Sequence, residues 1–113
     1  MTDPTLPVDV HTLGRELLEK ATRAHSGRAG HTLPHPVEGL RQTVIALRGG
    51  AELGEHESPG PASLLVIRGR VRLVAGEETV ELSAHQISPV PNRRHGLHAD
   101  EDSVLLLSIA VPD

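Results

Sequence analysis

Apolar residues near the start of the chain recur at the spacing of a helix. Five of them follow one another at steps of three or four: Val10, Leu13, Leu17, Ala21 and Ala24. Leu18 widens the stripe that they form on one helical face. Asp9 stands directly before the stripe, where its carboxylate can accept free N–H groups of the first turn, and Ser26 and Gly27 follow it. The pattern predicts an amphipathic helix that packs on the outside of a sheet or on a partner subunit.

From residue 31 onward the helical spacing disappears, and short apolar runs alternate with turn residues. Strands are predicted at residues 40–48, 51–57, 63–74, 79–83, 86–90, 95–99 and 103–111. Gly69 is expected to bend or bulge the long third run. Many short strands of this kind are typical of an antiparallel barrel or sandwich. We therefore divide the chain into an N-terminal extension with an amphipathic helix, residues 1–30, and an all-β domain, residues 31–113.

One hairpin of this domain has a register that the sequence itself specifies. If Gly76 and Glu77 form a two-residue turn, three pairs face each other: Leu73 with Val80, Val71 with Leu82, and Arg72 with Glu81. Apolar side chains then share one face and opposite charges share the other. Arg72 would belong to a solvated arginine stripe with Arg68 and Arg70, or to a stripe that binds an anion or a partner.

Composition narrows the function classes. The 113 residues suffice for one domain with one core, and they include no Phe, Tyr, Trp or Cys. Without aromatic side chains to stack on bases, and with a net charge of −4, we expect no nucleic-acid partner. The absence of cysteine excludes disulfides and thiolate metal sites. The sequence has neither a bilayer-length apolar run nor the basic start and apolar stretch of a signal peptide, so we expect a cytoplasmic protein without a membrane partner.

Two histidines in the β domain are the candidates for chemistry. His56 lies on a predicted strand, between Gly50 and Gly69. His95 begins another strand, directly after a proline-rich loop at residues 89–92. Two strands of one small barrel could bring the imidazoles together in its interior, where a metal or a small molecule could bind.

The frame around His56 resembles the first motif of the cupins, which are small antiparallel β-barrels. That motif reads Gly, five residues, His-x-His, three or four residues, Glu, six residues, Gly. Gly50, His56 and Gly69 stand in register with it. Ser58 takes the place of the second His, and Ala62 takes the place of the Glu.

The second cupin motif is matched by His95 alone, and the resemblance covers about residues 38–111. It implies a cupin-like antiparallel β-barrel or jelly roll, here with an N-terminal α-helix, and a homodimer. A cupin metal site uses three His and one Glu. The resemblance therefore implies that His56 and His95 are the two metal ligands that this chain retains.

Several versions of this site stay open. His98 could complete the ligand set if a bulge turned it to the side of His95, and Gln42 could do so if it pointed inward. The metal would be zinc, iron, nickel or manganese, or no metal is bound. Without a metal, the two imidazoles would hydrogen-bond to each other, to a water or to Ser58, or they would bind a ligand directly or act as acid–base groups.

Three functions follow from these versions. The first is a binding module that holds a small molecule or a metal in a cavity around His56 and His95. The second is a metal-dependent cupin enzyme of the oxygenase or isomerase type, and the third is a non-catalytic dimeric scaffold or regulatory domain. Whether the protein is an enzyme stays undecided at this point. Arg93 and Arg94, next to His95, are either solvated loop residues or steer an anionic ligand to the cavity.

Overall fold

One helix and nine strands make up the part of the chain that the structure describes, a computed structural model of residues 7–34, 37–58 and 60–111. Helix α1 spans Val10–Arg23. The strands β1 to β9 are Arg28–Thr32, Leu40–Leu47, Glu52–His56, Ala62–Arg68, Arg70–Ala75, Glu78–Ser83, Ile87–Pro89, His95–Ala99 and Ser103–Ala110.

The strands form two antiparallel sheets that share an aliphatic core. The first sheet has the order β1-β2-β9-β4-β7, and the second has the order β3-β8-β5-β6. The core between them contains ten buried residues: Leu47, Leu64, Val66, Val71, Leu73, Leu82, Val90, Leu97, Ala99 and Leu105. The predicted all-β architecture, an antiparallel barrel or jelly roll with an N-terminal helix, is confirmed.

Helix α1 covers the outer face of the five-stranded sheet. The contact has its own cluster of six buried residues: Leu17, Leu18, Ala21, Val44, Ala46 and Val104. Asp9 caps the helix, because its Oδ1 accepts the backbone N–H of His11 at 3.0 Å and of Thr12 at 3.2 Å. Gly14 lets the helix approach the sheet, since a Cβ at this position would lie 2.6 Å from Cγ1 of Val104. The helix and its packing on a sheet were predicted correctly from the apolar stripe.

The β5–β6 hairpin has the predicted register, with Leu73 opposite Val80 and Val71 opposite Leu82. Arg72 lies opposite Glu81, as predicted, but the carboxylate that it contacts is Asp100, whose Oδ1 lies 2.9 Å from its Nε. The long third run is divided at Gly69, where a φ of +93° ends β4 and begins β5. The turn residues therefore indicated the local pairing correctly, whereas the ion pair depends on the loop before β9.

Strand β1 is a difference from the sequence prediction. It runs from Arg28 to Thr32, so it crosses the division drawn between residues 30 and 31, and it pairs with β2 along its whole length. Its side chains are mostly exposed, and they lack the apolar alternation that identified the other strands. Residues 1–6 of the predicted extension lie outside the described residues.

Candidate functional site

A bulge in β3 turns His56 toward the barrel interior. Leu53 faces Leu97 across the β3–β8 pair, and His56 faces His95, so two residues of β3 oppose Gly96 alone. This extra residue shifts the alternation of side chains. Leu53 and His56 both line the interior, although three positions on a regular strand would place them on opposite faces.

Gly96 makes room for this bulge. A Cβ at Gly96 would lie 3.2 Å from the carbonyl oxygen of Leu53 and 3.5 Å from the amide nitrogen of Glu55. Glycine within a strand often marks such a close approach of two backbones. Gly96, a glycine inside a predicted strand, was therefore a signal for the bulge that the sequence prediction did not use.

The imidazoles of His56 and His95 are in contact. Their ring centroids are 4.6 Å apart, and the rings meet edge to face at 64°. Each Nδ1 lies next to the backbone carbonyl two residues earlier, Gly54 at 2.9 Å and Arg93 at 2.7 Å. Because a carbonyl oxygen only accepts, each Nδ1 carries a hydrogen, and in the neutral ring the lone pair is then on Nε2.

The surroundings of the two rings are apolar and differ in depth. His95 is 5% exposed, whereas His56 is exposed at the rim of the barrel. They line one cavity of about 40 Å³ together with eight aliphatic residues: Ile45, Leu53, Leu64, Leu73, Val90, Leu97, Leu105 and Leu107. A cavity of this size holds a few water molecules. The two imidazoles are therefore the polar groups at the mouth of an aliphatic barrel.

His98, the first candidate for a further ligand, is not part of this pair. On β8 the inward positions are His95, Leu97 and Ala99, which are buried, and His98 lies on the opposite face. Its Nδ1 is 3.0 Å from Oε2 of Glu52, on the neighbouring strand. The bulge that His98 would need lies instead in β3, so the structure places His98 against Glu52 outside the barrel and not in the predicted ligand set.

Gln42, the second candidate, also faces away from the cavity. It shares its side of the regular strand β2 with Val44 and Ala46, which pack under the helix. Its Nε2 donates to Oγ of Ser108, 2.8 Å away on β9. The amide is thus used in a cross-strand hydrogen bond on the outer face, which corrects the expectation that it could complete a metal site.

The two residues at the missing cupin ligand positions do not supply replacements. Ser58 bonds locally, since its Oγ is 3.3 Å from the carbonyl of Gly60 and 3.4 Å from its amide. Ala62 packs its methyl group against the interior core. Among the described residues, no group of three or more His, Cys, Asp or Glu side chains could hold a metal ion. The donor set is therefore two imidazoles, fewer than the three protein ligands of a catalytic zinc site.

Arginines at the mouth are held by carboxylates. Nε of Arg94 lies 3.2 Å from Oε2 of Glu55, and its Nη1 lies 3.4 Å from Oε1 of Glu57. Nη2 of Arg93 lies 2.8 Å from Oε1 of Glu78. Both arginines thus have acidic partners, so an anionic ligand would have to compete for them. The contacts of Arg94 were not foreseen, because they depend on the position of the bulge.

Solved structures with similar folds identify the architecture. A conserved protein of unknown function from Streptococcus pyogenes matches with a TM-score of 0.72 at 24% identity, over 99% of this chain and 92% of that one. A cupin superfamily protein from Desulfitobacterium hafniense matches with a TM-score of 0.68 at 14% identity, over 75% of this chain and 78% of that one. The chain has a cupin fold.

The cupin fold occurs in neighbours of different kinds. Salicylate 1,2-dioxygenase from Pseudaminobacter salicylatoxidans matches with a TM-score of 0.74 at 19% identity, over 88% of this chain but only 33% of the dioxygenase. No family model matches the sequence. No curated protein matches it either. Among the described residues, no helix is both long enough and apolar enough to cross a membrane. At these identities the likeness shows the fold alone, and the function has to be argued from the site.

Proposed function

We propose that this cupin-fold chain is a binding module whose ligand engages Nε2 of His56 and Nε2 of His95 at the mouth of the barrel. The observation that carries this proposal is the matched pair of Nδ1 contacts with backbone carbonyls. In metal sites, the ring nitrogen that does not bind the metal donates a hydrogen bond of this kind, which orients the imidazole and fixes its tautomer. Here these bonds leave two acceptor nitrogens on rings that touch each other.

Two neighbouring acceptors favour a ligand that brings a proton donor or a cation. His95 is buried, so an unpaired lone pair on its Nε2 is costly, and a donor or a cation offsets that cost. His56 is exposed and adds a second acceptor at the rim. The cavity of about 40 Å³ is much smaller than the roughly 300–1,000 Å³ of ordinary small-molecule sites. A small molecule would therefore sit at the rim, with one polar group directed to the two rings.

A divalent metal is the cationic form of this proposal. Imidazole nitrogens suit zinc, iron and nickel, and His56 and His95 would hold the ion. Two protein ligands bind a metal less firmly than three, so water or a small molecule would have to supply the rest of the shell. A bound metal would contribute Lewis-acid polarisation of that molecule.

Metal titration of the full chain tests the proposal. We expect zinc, nickel, manganese or iron(II) to bind with one-to-one stoichiometry, and His56→Ala or His95→Ala to weaken binding at least tenfold. His98→Ala is the matched control, because this histidine lies on the same strand, three positions after His95, but faces outward. For a small molecule that binds without a metal, fragments that hydrogen-bond to imidazole are added to the same three variants, and the changes in the NMR shifts of the protein are compared. Binding that is equal in all three variants would contradict the proposal.

A metal-dependent enzyme is the second candidate function. It is favoured by the fold likeness to a dioxygenase, which covers 88% of this chain. This function requires a firmly held metal, and the described residues offer two ligands for it. Metal that stays bound at stoichiometric level through gel filtration in a weak chelator would favour the enzyme, and loss of the metal would favour the binding module.

A further inference from the structure

Strand β3 forms the least secured wall of the site. It is an edge strand of the four-stranded sheet, and among the described residues it pairs with β8 alone, in a register that the bulge interrupts. Four of its five residues are exposed. This wall nevertheless carries His56 and Leu53, which line the cavity. The position of His56 therefore depends on whatever holds the bulge in place.

Arg94 is the side chain that spans from β8 to the bulge. It directly precedes His95, and its guanidinium reaches both residues that flank His56. Nε lies 3.2 Å from Oε2 of Glu55, Nη1 lies 3.4 Å from Oε1 of Glu57, and Nη2 donates to the backbone carbonyl of Glu55 at 3.3 Å. These contacts connect the neighbours of one imidazole to the neighbour of the other.

We propose that Arg94 is a positioning residue, which holds the bulge through Glu55 and Glu57 and thereby keeps the imidazole of His56 against that of His95. The contact with the carbonyl of Glu55 is central, because this carbonyl belongs to the bulged backbone itself. The inference rests on the proposed function for its importance, but the geometry that it describes exists without a ligand. It can therefore be tested on the ligand-free protein.

Arg93 provides the matched control. It is adjacent in sequence, it is also an exposed arginine, and it has a carboxylate partner at 2.8 Å. Its contacts go to Glu78 and to the carbonyl of Ala75, in the β5–β6 hairpin. Removing Arg93 therefore removes a similar ion pair at the same loop without releasing β3.

The experiment compares Arg94→Ala with Arg93→Ala in the full chain by NMR. Long-range nitrogen–proton spectra report the tautomer of each histidine, and amide exchange reports the opening of β3. In Arg94→Ala we expect His56 to become a mixture of both tautomers while His95 keeps its hydrogen on Nδ1. We also expect β3 amides to exchange roughly two- to fivefold faster, the range for loss of an exposed ion pair. In Arg93→Ala neither signal should change.

A conservative substitution separates positioning from general stability. Arg94→Lys keeps a positive charge and an N–H donor for the carbonyl of Glu55, so it should retain the tautomer of His56 at least in part, whereas Arg94→Glu, which has no donor and repels Glu57, should not. If Arg94→Ala leaves the tautomer and the β3 exchange as they are in Arg93→Ala, the inference is overturned. If these signals change but neither metal nor fragment binds the wild-type protein, the proposed function fails while the positioning role of Arg94 stands.

Discussion

Gly96 shows at the scale of one residue how a missing side chain builds the site. It lies opposite the bulge, in contact with the backbone of β3, and a Cβ there would come within 3.2 Å of the carbonyl oxygen of Leu53. Gly54 lies in the bulge itself, but a Cβ there would meet no atom within 4 Å. Two glycines a few ångströms apart in the sheet thus have opposite tolerance for a methyl group.

This contrast gives a prediction. Gly96→Ala should lower the free energy of unfolding by roughly 1–3 kcal/mol, the cost of an added group in a packed position, and should displace His56. Gly54→Ala should be neutral, or stabilising by a few tenths of a kcal/mol up to about 1 kcal/mol, since it reduces the freedom of the unfolded chain. Urea unfolding of both variants measures the difference. Equal stability of the two variants would mean that Gly96 does not support the bulge.

The same residues show what a sequence can and cannot reveal about this site. His56 and His95 were correctly placed in one barrel, because their spacing from glycines and prolines is a local property of the chain. The inward orientation of His56 depends on the bulge, and so on β8, about forty residues later. Gln42 was undecided for the same reason, since the alternation along β2 does not say which face the helix will cover.

At the scale of elements, helix α1 was predictable because its signals are local and agree with one another. The apolar stripe, the cap and the break after the helix all lie within about twenty residues. Strand β1 offered no such agreement, because its side chains are mostly exposed and its pairing with β2 is decided by the sheet. An edge strand is stabilised largely by backbone hydrogen bonds, which leave little trace in the side-chain pattern.

The cap of the helix has a predictable pH dependence. Hydrogen bonds from the backbone N–H of Thr12, and then of His11, hold the pKa of the Asp9 carboxyl below its ordinary value. The folded state therefore binds this proton less readily than the unfolded state, so the contribution of Asp9 to stability is present above the unfolded pKa of about 3.8 and is lost as the pH falls through the folded pKa.

Asp9→Asn and Asp9→Ala separate the charge from the cap. The asparagine variant keeps an acceptor oxygen but does not titrate, and the alanine variant has neither. We expect the melting temperature of the wild-type protein to exceed that of Asp9→Ala at neutral pH, and the gap to shrink below about pH 4. The gap between Asp9→Asn and Asp9→Ala should not depend on pH in this range. A wild-type gap that is constant from pH 7 to pH 3 would show that the charged carboxylate contributes nothing.

At the scale of the whole molecule, the five-stranded sheet is covered on both faces, by the second sheet and by helix α1, and both contacts are aliphatic. Without aromatic residues the chain builds two small cores, one between the sheets and one under the helix. Strand β9 joins them, because it lies between β2 and β4 and is apolar on both faces. The structure places this strand in the middle of the sheet, where it cannot pair across a subunit interface.

The homodimer implied by the cupin resemblance therefore needs a different contact. Edge strands are the usual places for pairing with another chain, and β7 is an edge of the five-stranded sheet. Ile87 on β7 is 65% exposed, the largest exposure among the large apolar side chains that the structure describes. We predict that the wild-type protein sediments as a dimer at micromolar concentration. Ile87→Lys should shift it toward the monomer, because burying the charged lysine in the interface would carry a desolvation penalty.

Val80→Lys is the control for this prediction. Val80 is 40% exposed and lies on β6, the edge of the other sheet, so the substitution adds the same charge to a different edge. Sedimentation of all three proteins at the same concentrations decides between the possibilities. A wild-type protein that sediments as a monomer would contradict the predicted homodimer. A dimer that survives Ile87→Lys but dissociates with Val80→Lys would place the contact on the four-stranded sheet. Because this sheet also contains β3 and His56, such a contact would connect the subunit interface to the mouth of the barrel.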